Sequence, residues 1–204
     1  MVMSPWLPVS LSSTTELVVF VITFFVWAAS EIIGSIILPR LRHRRAGTTL
    51  ERKDKNSALW VNIGIIASIY IAFGFSLVRV ATLPDWVFYP GILLMVAGIV
   101  LRQWSIAILG SFFSVVVSVQ EGQTIVRSGP YRFIRHPSYT GTLMTMAGIG
   151  LAVQSWGALL TLLIVCSLVY RYRIEIEEKA LVEQFGSDYV AYMHETKMLI
   201  PFIL

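Results

Sequence analysis

The chain contains little charge and almost no cysteine, and both shortages restrict what it can be. Only 14% of its 204 residues are charged, whereas 56% are hydrophobic, and the mean hydropathy is +0.72. These values lie far outside the range of soluble domains and indicate an integral membrane protein. The single cysteine, Cys166, lies inside the apolar run LLIVCSLVY. Because hydrocarbon disfavours the thiolate that a nucleophile needs, we expect Cys166 to be a small buried apolar residue.

The sequence also lacks internal repeats, low-complexity linkers and motifs of nucleic-acid recognition. The sequence pI is about 9.4. Its basic residues fall between apolar runs, however, so anionic lipid headgroups are a better partner than nucleic acid. No lysine or arginine precedes the first apolar run, so a cleaved secretory signal is not expected. The length predicts one single folded unit.

Five apolar runs predict an all-α integral membrane fold. A run of about 20 apolar residues crosses the hydrocarbon, and Thr15–Leu38, Ser57–Val78 and Val87–Leu109 are clear candidates. Two shorter runs, Tyr139–Val153 and Trp156–Tyr172, nearly touch and predict a tight helical hairpin. Helices follow because lipid offers no partner to unpaired backbone groups, and the alternation of an outer-membrane barrel is absent. The prediction is therefore five transmembrane helices.

The distribution of basic residues predicts the orientation. With five spans, an outside N-terminus and a cytoplasmic C-terminus, all cations but one fall on the cytoplasmic side, as the positive-inside rule requires. The brevity of the chain favours a bacterial inner membrane. The exception is Arg79, and the cytoplasmic cations are Arg40, Arg42, Arg44, Arg45, Arg52, Lys53, Lys55, Arg102, Arg127, Arg132, Arg135, Arg171, Arg173, Lys179 and Lys197.

The segment Ser128–Gly141, SGPYRFIRHPSYTG, is a short polar break before the predicted hairpin. It concentrates two arginines, a histidine, two tyrosines and two prolines, which is more than a turn requires, so it predicts a site. Pro137 suits the first position of a helix, whose free N–H groups from Ser138 onward would attract a carboxylate or phosphate. The alternative is a membrane-interface loop with snorkelling arginines and belt tyrosines.

A second polar segment, Arg171–Glu183, is predicted to be a helix that leaves the membrane and ends at Gly186. Three carboxylates cluster near its membrane end, and Arg173 shares a helical face with Glu177. This pair could be an ordinary surface ion pair, worth roughly 0.3–0.5 kcal/mol. Carboxylates this close to the interface are costly, however, unless they bind something. Because a hairpin separates the two polar segments, both emerge on the same face and can meet.

Together the two segments resemble the catalytic half of the isoprenylcysteine carboxyl methyltransferases and related phospholipid methyltransferases. The resemblance covers roughly Leu101–Phe202. It divides the chain into N-terminal transmembrane helices, residues 1–100, and a catalytic cofactor-binding half, residues 101–204. The last part of the chain, from Tyr189, is expected to be a short amphipathic helix used for packing. The motifs are GPY at 129–131, RHPSY at 135–139 with Gly141, RxxxEE at 173–178, and FG at 185–186 followed by Tyr189 and Tyr192.

The resemblance implies an S-adenosylmethionine-dependent methyltransferase with a cytoplasmic catalytic region, built from the loop before helix 4 and the C-terminal helix. This family binds its cofactor without a Rossmann sheet, so the absence of a G-x-G-x-x-G motif is expected. No metal site is implied. Arg173, Glu177 and His136 carry over as catalytic residues, and Arg173 faces the methyl acceptor. The implied cofactor-binding residues are Gln123, Thr124, Ile125, Val126, Tyr131, His136, Pro137, Ser138, Tyr139 and Glu177.

The acceptor implied by the resemblance is membrane-embedded or amphiphilic, and carboxylate O-methylation is favoured. A carboxylate needs no general base, so Arg173 could hold it while Glu177 fixes the cofactor. A lipid amine or a thiol would need deprotonation, for which His136 and Glu178 are candidates.

Two other functions compete with this interpretation. Sterol reductases share the C-terminal architecture but bind a reduced nicotinamide cofactor. They carry more spans, and a phosphorylated dinucleotide would want more arginines than this loop offers. A non-catalytic lipid-binding or scaffold protein is the third reading. It leaves unexplained why arginines and carboxylates concentrate in two segments on one face.

Overall fold

A computed structural model describes residues 13–41, 50–52, 57–78, 81–114, 118–120 and 122–199. Within these residues the protein is helical apart from two three-residue strands, which pair antiparallel with Leu50 opposite Gln120. The strands are β1 Leu50–Arg52 and β2 Ser118–Gln120, and the helices are α1 Thr14–Ser30, α2 Ser57–Val78, α3 Phe88–Leu109, α4 Pro137–Ala152, α5 Trp156–Phe185 and α6 Ser187–Glu195.

Four helical stretches of the described residues are long and apolar enough to cross a bilayer, namely Thr14–Leu41, Ser57–Val78, Asp85–Phe112 and Trp156–Phe185. The protein is therefore an integral membrane protein. The predicted fourth span is present as α4, but its 16 residues extend only about 24 Å at 1.5 Å per residue. The sequence predicts five apolar helices. In the structure, four of them have full membrane-spanning length and one is shorter. Several cations used for the orientation, Arg42, Arg44, Arg45, Lys53, Lys55 and Arg79, lie outside the described residues.

The fifth predicted span and the polar helix predicted after it form one continuous helix, α5. The Ser155 hydroxyl caps its start by accepting a hydrogen bond from the Ala158 N–H at 3.3 Å. No proline or glycine occurs between Ala158 and Phe185, so nothing interrupts the helix at the membrane boundary. Gly186 ends it with a φ of 55°, as the sequence predicted. Polar side chains at the end of α5 are therefore rigidly joined to the membrane bundle.

The closest helix pair is α3 with α4, which meet through glycines. A Cβ on Gly98 would lie 2.5 Å from the Gly141 carbonyl, and one on Gly148 would lie 2.6 Å from the Gly91 carbonyl. Each glycine pair is about two turns from the other along its helix. Small residues are the common means of close helix contact in membranes, where lipid tails remove the hydrophobic drive for association. This glycine seam fixes where the first turn of α4 lies against α3.

The buried core is centred on α3, α4 and α5 and also includes Phe20 and Trp27 of α1 and Ala72 of α2. Phe88, Met95, Met146 and Leu162 are fully buried there. Cys166 is also fully buried, as the sequence predicted. By contrast α1 and α2 expose many large apolar side chains, which suits helices that face lipid.

One end of the bundle is tied by neutral hydrogen bonds, and we refer to residues 81–85 and 153–156 as the closed end. The Leu83 N–H donates to the Gln154 carbonyl at 2.8 Å, and the Trp156 N–H donates to the Ala81 carbonyl at 3.0 Å. The Gln154 side-chain amide donates to the Asp85 carbonyl at 3.2 Å. These bonds join the α2–α3 connection to the α4–α5 hairpin. The first turn of α4 and the polar part of α5 consequently meet at the opposite end.

Candidate functional site

A cavity lies at the opposite end of the bundle, which we call the pocket end. The cavity is partly open to the outside, and the space between its walls is about 930 Å³ with that open space included. Four parts of the chain line it. They are the end of α3 with the turn after it, the loop before the polar segment Ser128–Gly141, that segment itself, which we call the signature segment, and α5 with α6. The lining side chains are Leu109, Phe112, Phe113, Ser114, Gln123, Thr124, Ile125, Val126, Tyr131, Arg135, His136, Ser138, Tyr139, Arg173, Glu177, Ala180, Leu181, Phe185, Tyr189 and Tyr192.

The predicted catalytic and cofactor-binding residues all line this cavity except Pro137, and the candidate base Glu178 does not line it either. Pro137 is buried at the first position of α4, where its fixed φ favours the helix start. The two polar segments do meet, as their common face predicted. The sequence also predicted free N–H groups at the start of α4, and for two of them this was wrong. The Tyr139 and Thr140 N–H groups donate to the His136 carbonyl at 3.0 and 3.2 Å, so they are not free to bind an anion.

Tyr139 connects the two charged residues on the cavity wall. Its hydroxyl donates to Glu177 Oε2 at 2.6 Å and accepts from Arg173 Nε at 3.4 Å. Arg173 also donates through a terminal nitrogen to the Ser57 hydroxyl at the start of α2. The Tyr139 ring stacks on Tyr170, with centroids 4.7 Å apart. The phenol thus holds a cation and a carboxylate, one turn apart on α5, in a fixed arrangement.

Arg173 is almost completely buried, with 4% of its surface exposed. A guanidinium cannot lose its proton in a protein, so its charge persists in this environment. Desolvating such a charge costs several kcal/mol unless it gains partners. Its Nε contact with the Tyr139 hydroxyl and its terminal-nitrogen contact with Ser57 are two such partners, and the planar fork of a guanidinium can bind a carboxylate at two points.

Glu178, the neighbour of Glu177, serves a different purpose. It accepts hydrogen bonds from Arg135 Nε at 2.8 Å, and His136 Nε2 lies 3.1 Å from the same oxygen. Arg135 also donates to the carbonyls of Met193 and Thr196 at 3.0 and 2.6 Å. This group joins the signature segment, α5 and the end of α6. The third carboxylate of the cluster, Glu175, faces outward and pairs with Arg171.

The signature segment is also held by the chain after α6. The Arg135 and His136 N–H groups donate to the carbonyls of Lys197 and Met198 at 2.8 and 3.1 Å, and the Lys197 N–H donates to the Phe133 carbonyl at 3.0 Å. The sequence predicted a helix through this region. Instead α6 ends at Glu195 and an extended segment follows, because its backbone groups pair with the signature.

Tyrosines form much of the outer wall. The Tyr192 hydroxyl donates to the Tyr131 carbonyl at 2.7 Å, and Tyr189 packs beside Tyr192 with ring centroids 5.8 Å apart. Burial, reinforced by the Glu177 charge, raises the pKa of Tyr131 and Tyr189 above the ordinary value. Burial raises the pKa of Tyr192 to about 12. All three phenols therefore stay protonated at neutral pH and can donate hydrogen bonds.

Sequence reasoning missed several residues of this site. Arg135 belongs to the predicted segment, but its buried network, with an 8% exposed side chain, is not foreseen from the sequence. Phe112 and Phe113 lie in the turn after α3, where no motif of the sequence points to a site. Ser57, the partner of Arg173, begins a helix far away in the sequence. Tyr189 and Tyr192, by contrast, could be found from the sequence, because their spacing of three residues places both on one helical face.

Residues 91–183 match the sequence profile of the isoprenylcysteine carboxyl methyltransferase family. This segment, a little less than half of the chain, is similar to that family. The matched segment contains the loop before the signature, the signature itself and the Arg173–Glu177 turn, whereas Ser57 and the two α6 tyrosines lie outside it. The charged wall, formed by Arg173, Tyr139 and Glu177, therefore lies within the matched segment together with most of the cavity lining.

Individual relatives agree with this match. The chain is 31% identical over 115 residues to protein-S-isoprenylcysteine O-methyltransferase of Saccharomyces cerevisiae, covering 55% of this chain and 48% of that protein. It is 30% identical over 151 residues to the protein of the same name from Xenopus laevis, covering 71% of this chain and 48% of that one. The chain therefore spans about half the length of these relatives.

A solved structure is also similar. It is that of a eukaryotic intramembrane Ras methyltransferase, an isoprenylcysteine carboxyl methyltransferase. The superposition has a TM-score of 0.55 at 25% identity and covers 72% of this chain and 51% of the other. The likeness thus extends beyond the matched segment into the membrane bundle.

Proposed function

We propose that this protein is an integral-membrane methyltransferase that transfers a methyl group from S-adenosylmethionine to a carboxylate on an amphiphilic acceptor. The observation that carries the proposal is the Arg173–Tyr139–Glu177 chain of contacts on the cavity wall. It places a buried cation and a carboxylate side by side at the end of an apolar bundle. The family match covers all three residues.

The cavity fits the proposed cofactor. S-adenosylmethionine combines ribose hydroxyls, an aromatic base and a positively charged sulfonium and ammonium end. The Glu177 carboxylate provides an acceptor for hydroxyls and a counter-charge for a cation. The tyrosine and phenylalanine faces of the wall suit an aromatic base and a cationic group. Gln123, Thr124, Ile125 and Val126 also line the cavity and offer two polar and two apolar side chains.

Each residue then has a defined task. When bound, S-adenosylmethionine supplies a methyl group that is already activated on its sulfonium. Glu177 orients the cofactor, and Tyr139 fixes the Glu177 carboxylate. Arg173 binds the acceptor carboxylate through its guanidinium fork, and Ser57 supports that fork from the opposite side. The surrounding aromatic wall excludes water, so alignment rather than acid–base chemistry accounts for the rate.

A carboxylate acceptor is favoured over an amine or thiol because the two candidate bases, His136 and Glu178, already contact each other. His136 Nε2 and Glu178 Oε1 are in contact with each other, and Glu178 is also bound by Arg135. Abstracting a proton would disrupt this network, which holds the signature segment in place. A carboxylate acceptor requires no such step.

The acceptor's apolar tail would lie in the bilayer beside the site. A shallow apolar groove runs between α2 and α5, lined by Trp60, Val61, Leu168, Val169 and Tyr172. Tyr172 is adjacent to Arg173, and Trp60 lies one turn from Ser57. A head group at Arg173 could therefore keep its tail in lipid along this groove. The names of the relatives refer to isoprenylcysteine, which is a carboxylate on such a tail.

We further propose that α4 also crosses the membrane, giving five spans with the N-terminus outside and the pocket cytoplasmic. Its support is that α4 begins at the pocket end and finishes at the closed end, where Gln154 contacts the start of the α3 region. A bacterial inner membrane suits the chain. Cysteines introduced at positions 48 and 187 of a Cys166→Ala protein should both label only from the cytoplasmic side, and external labelling of either would refute this topology.

The two-part division follows from the same proposal: residues 101–204 form the cofactor-binding half, and residues 1–100 provide the membrane helices. Ser57 modifies this picture, because the N-terminal half supplies one direct contact to the charged wall. The two parts therefore act as one folded unit.

Calorimetric titration of the purified protein tests the proposed function. S-adenosylmethionine and its demethylated product should each bind at one site per chain, whereas NADPH, the cofactor of the reductase alternative, should produce no binding heat. Binding of NADPH without binding of S-adenosylmethionine would overturn the proposal.

A further inference from the structure

An ion pair lies among the membrane helices on the bundle side of the cavity. Arg102 Nε on α3 donates to Glu31 Oε1 at 2.5 Å, and the two side chains are only 12% and 23% exposed. Neither residue lines the cavity. Ionisable residues inside membrane helices are costly and usually serve function. A buried ion pair is, moreover, weak evidence for a stabilising role.

Glu31 begins a π-helical segment, Glu31–Ile37, that continues α1. Such wider turns are frequent at functional sites. This π-helical segment and the residue before it contact α3 through two adjacent residues, Arg102 and Gln103. The Gln103 side chain donates to the Ser30 carbonyl at 3.1 Å, and its Oε1 lies 1.9 Å from where a Cβ of Gly34 would be. Glycine at this position therefore admits the amide.

The Arg102 guanidinium also reaches the first turn of α4. While Nε binds Glu31, one terminal nitrogen donates to the Ser35 hydroxyl at 3.1 Å. The other terminal nitrogen donates to the Ser138 carbonyl at 3.2 Å. Gly141 permits this approach, since a Cβ there would lie 2.8 Å from the Arg102 Cβ. Each of the three nitrogens thus has its own acceptor, which a lysine ammonium could not reproduce.

The residue held in this way adjoins the charged wall of the cavity. Ser138 lines the cavity, and the next residue, Tyr139, bridges Arg173 and Glu177. A shift of the first turn of α4 would move the Tyr139 hydroxyl away from Glu177. The N-terminal helix α1 is therefore linked to the site by Glu31, Arg102 and Ser138.

We propose that Glu31 and Arg102 are positioning residues, which fix the first turn of α4 so that Tyr139 holds Glu177 in its cofactor-binding orientation. This inference rests on the proposed function for its binding readout. It assigns the π-helical segment of α1 a role in the site, although α1 contributes no side chain to the cavity lining.

The test is Arg102→Lys, which keeps the positive charge for Glu31 but cannot also reach Ser138. Affinity for S-adenosylhomocysteine, the demethylated product of S-adenosylmethionine, is measured by calorimetry. It should fall about five- to tenfold, as expected for lost charge-assisted hydrogen bonds. Glu31→Gln, which retains Arg102 but removes its counter-charge, should weaken binding in the same direction. Gln154→Asn, which shortens a side chain at the closed end, is the control and should leave the affinity unchanged.

A double-mutant cycle distinguishes positioning from general destabilisation. If Arg102 acts through the Tyr139 hydroxyl, Arg102→Lys should lower the affinity less than about twofold in a Tyr139→Phe background, because coupled residues are not additive. An undiminished effect in that background, or an equal effect of Gln154→Asn, would overturn the inference.

Hydrogen–deuterium exchange of the ligand-free protein keeps this test separate from the proposed function. Arg102→Lys should raise exchange in peptides that cover residues 138–141, whereas Gln154→Asn should not. Unchanged exchange at these residues would refute the positioning role even if binding were lost. If instead the wild-type protein failed to bind S-adenosylhomocysteine, the proposed function would fail, and the exchange result would still decide the positioning role.

Discussion

The two ends of the bundle are built with different interactions. At the closed end, hydrogen bonds between neutral groups join the helix connections, with Leu83, Gln154 and Trp156 as the main participants. At the pocket end, only 4% of Arg173 is exposed, and only 8% of the Arg135 side chain is exposed. Both ends hold helices together, but only the pocket end encloses persistent charge.

The two ends differ in desolvation cost. Neutral hydrogen bonds suffice to join helices and carry little desolvation cost. Buried charges are expensive to desolvate and often add no stability over apolar residues. The charges buried beside the cavity are therefore the part of the bundle that the proposed binding function explains and helix packing does not. Substitutions at one end test whether the other end responds.

Arg173→Lys should have the largest effect. The lysine keeps the charge but loses the planar fork, so methyl transfer should fall by about 100-fold or more, while cofactor affinity stays within about threefold. Turnover assays and calorimetry separate the two quantities. The matched control is Arg171→Lys on the same helix, since Arg171 is exposed and pairs only on the surface with Glu175. A lysine variant with normal turnover, or one that has simply lost the cofactor, would remove Arg173 from the acceptor role.

Glu177→Gln should weaken cofactor binding next most strongly. The amide keeps the size of the side chain but removes the charge, and a charged hydrogen bond contributes on the order of 1.5–3 kcal/mol. Affinity for S-adenosylmethionine should thus fall about tenfold or more by calorimetry. Glu183→Gln provides the comparison, because Glu183 lies farther along α5 and is not among the cavity-lining residues. Similar losses in the two variants would count against the assignment of Glu177.

The glycine seam predicts opposite effects for the same substitution at two sites. Gly98→Ala forces a methyl group against the Gly141 carbonyl and should destabilise the fold by about 1–3 kcal/mol. Gly74 on α2 has open space around its Cβ position, so Gly74→Ala should stabilise by about 0.5–1 kcal/mol. Unfolding in denaturant would measure both. Equal responses would show that α3 and α4 are not packed as described.

Gln154→Asn should produce the smallest change and confine it to the closed end. Asparagine tolerates the positive φ of this turn but is too short to reach the Asp85 carbonyl. The free energy of unfolding should fall by about 1 kcal/mol, with cofactor affinity and turnover unaltered. A marked loss of binding would mean that the two ends are energetically coupled.

Much of the architecture was predictable because local rules govern it. Apolar length located the helices, Pro137 and Gly186 marked the start of α4 and the end of α5, and the hairpin implied that two polar segments meet. The continuity of α5 was not predicted, since a change from apolar to polar residues does not by itself break a helix.

The pairing of charges within the site was not predictable from local patterns. Arg135, Glu177 and Glu178 are residue types that are common at any membrane interface. Their roles depend on which partner each contacts across the bundle. Glu177 meets Tyr139, whereas Glu178 meets Arg135 and His136. Likewise nothing near Arg102 in the sequence indicates Glu31 as its partner. Such pairings are set by tertiary packing, which periodicity does not encode.

Methylation of a carboxylate on an amphiphilic acceptor is the activity proposed for the pocket end. It can be measured by supplying membranes that contain the protein with S-adenosylmethionine labelled in its methyl group and an S-prenylated cysteine as acceptor. We expect label in the extracted acceptor that alkaline treatment releases as methanol, as a methyl ester requires, and little label with Arg173→Lys. Label that resists alkali, as in a methylated amine or thioether, would contradict the carboxylate assignment, and transfer unaffected by Arg173→Lys would contradict the site.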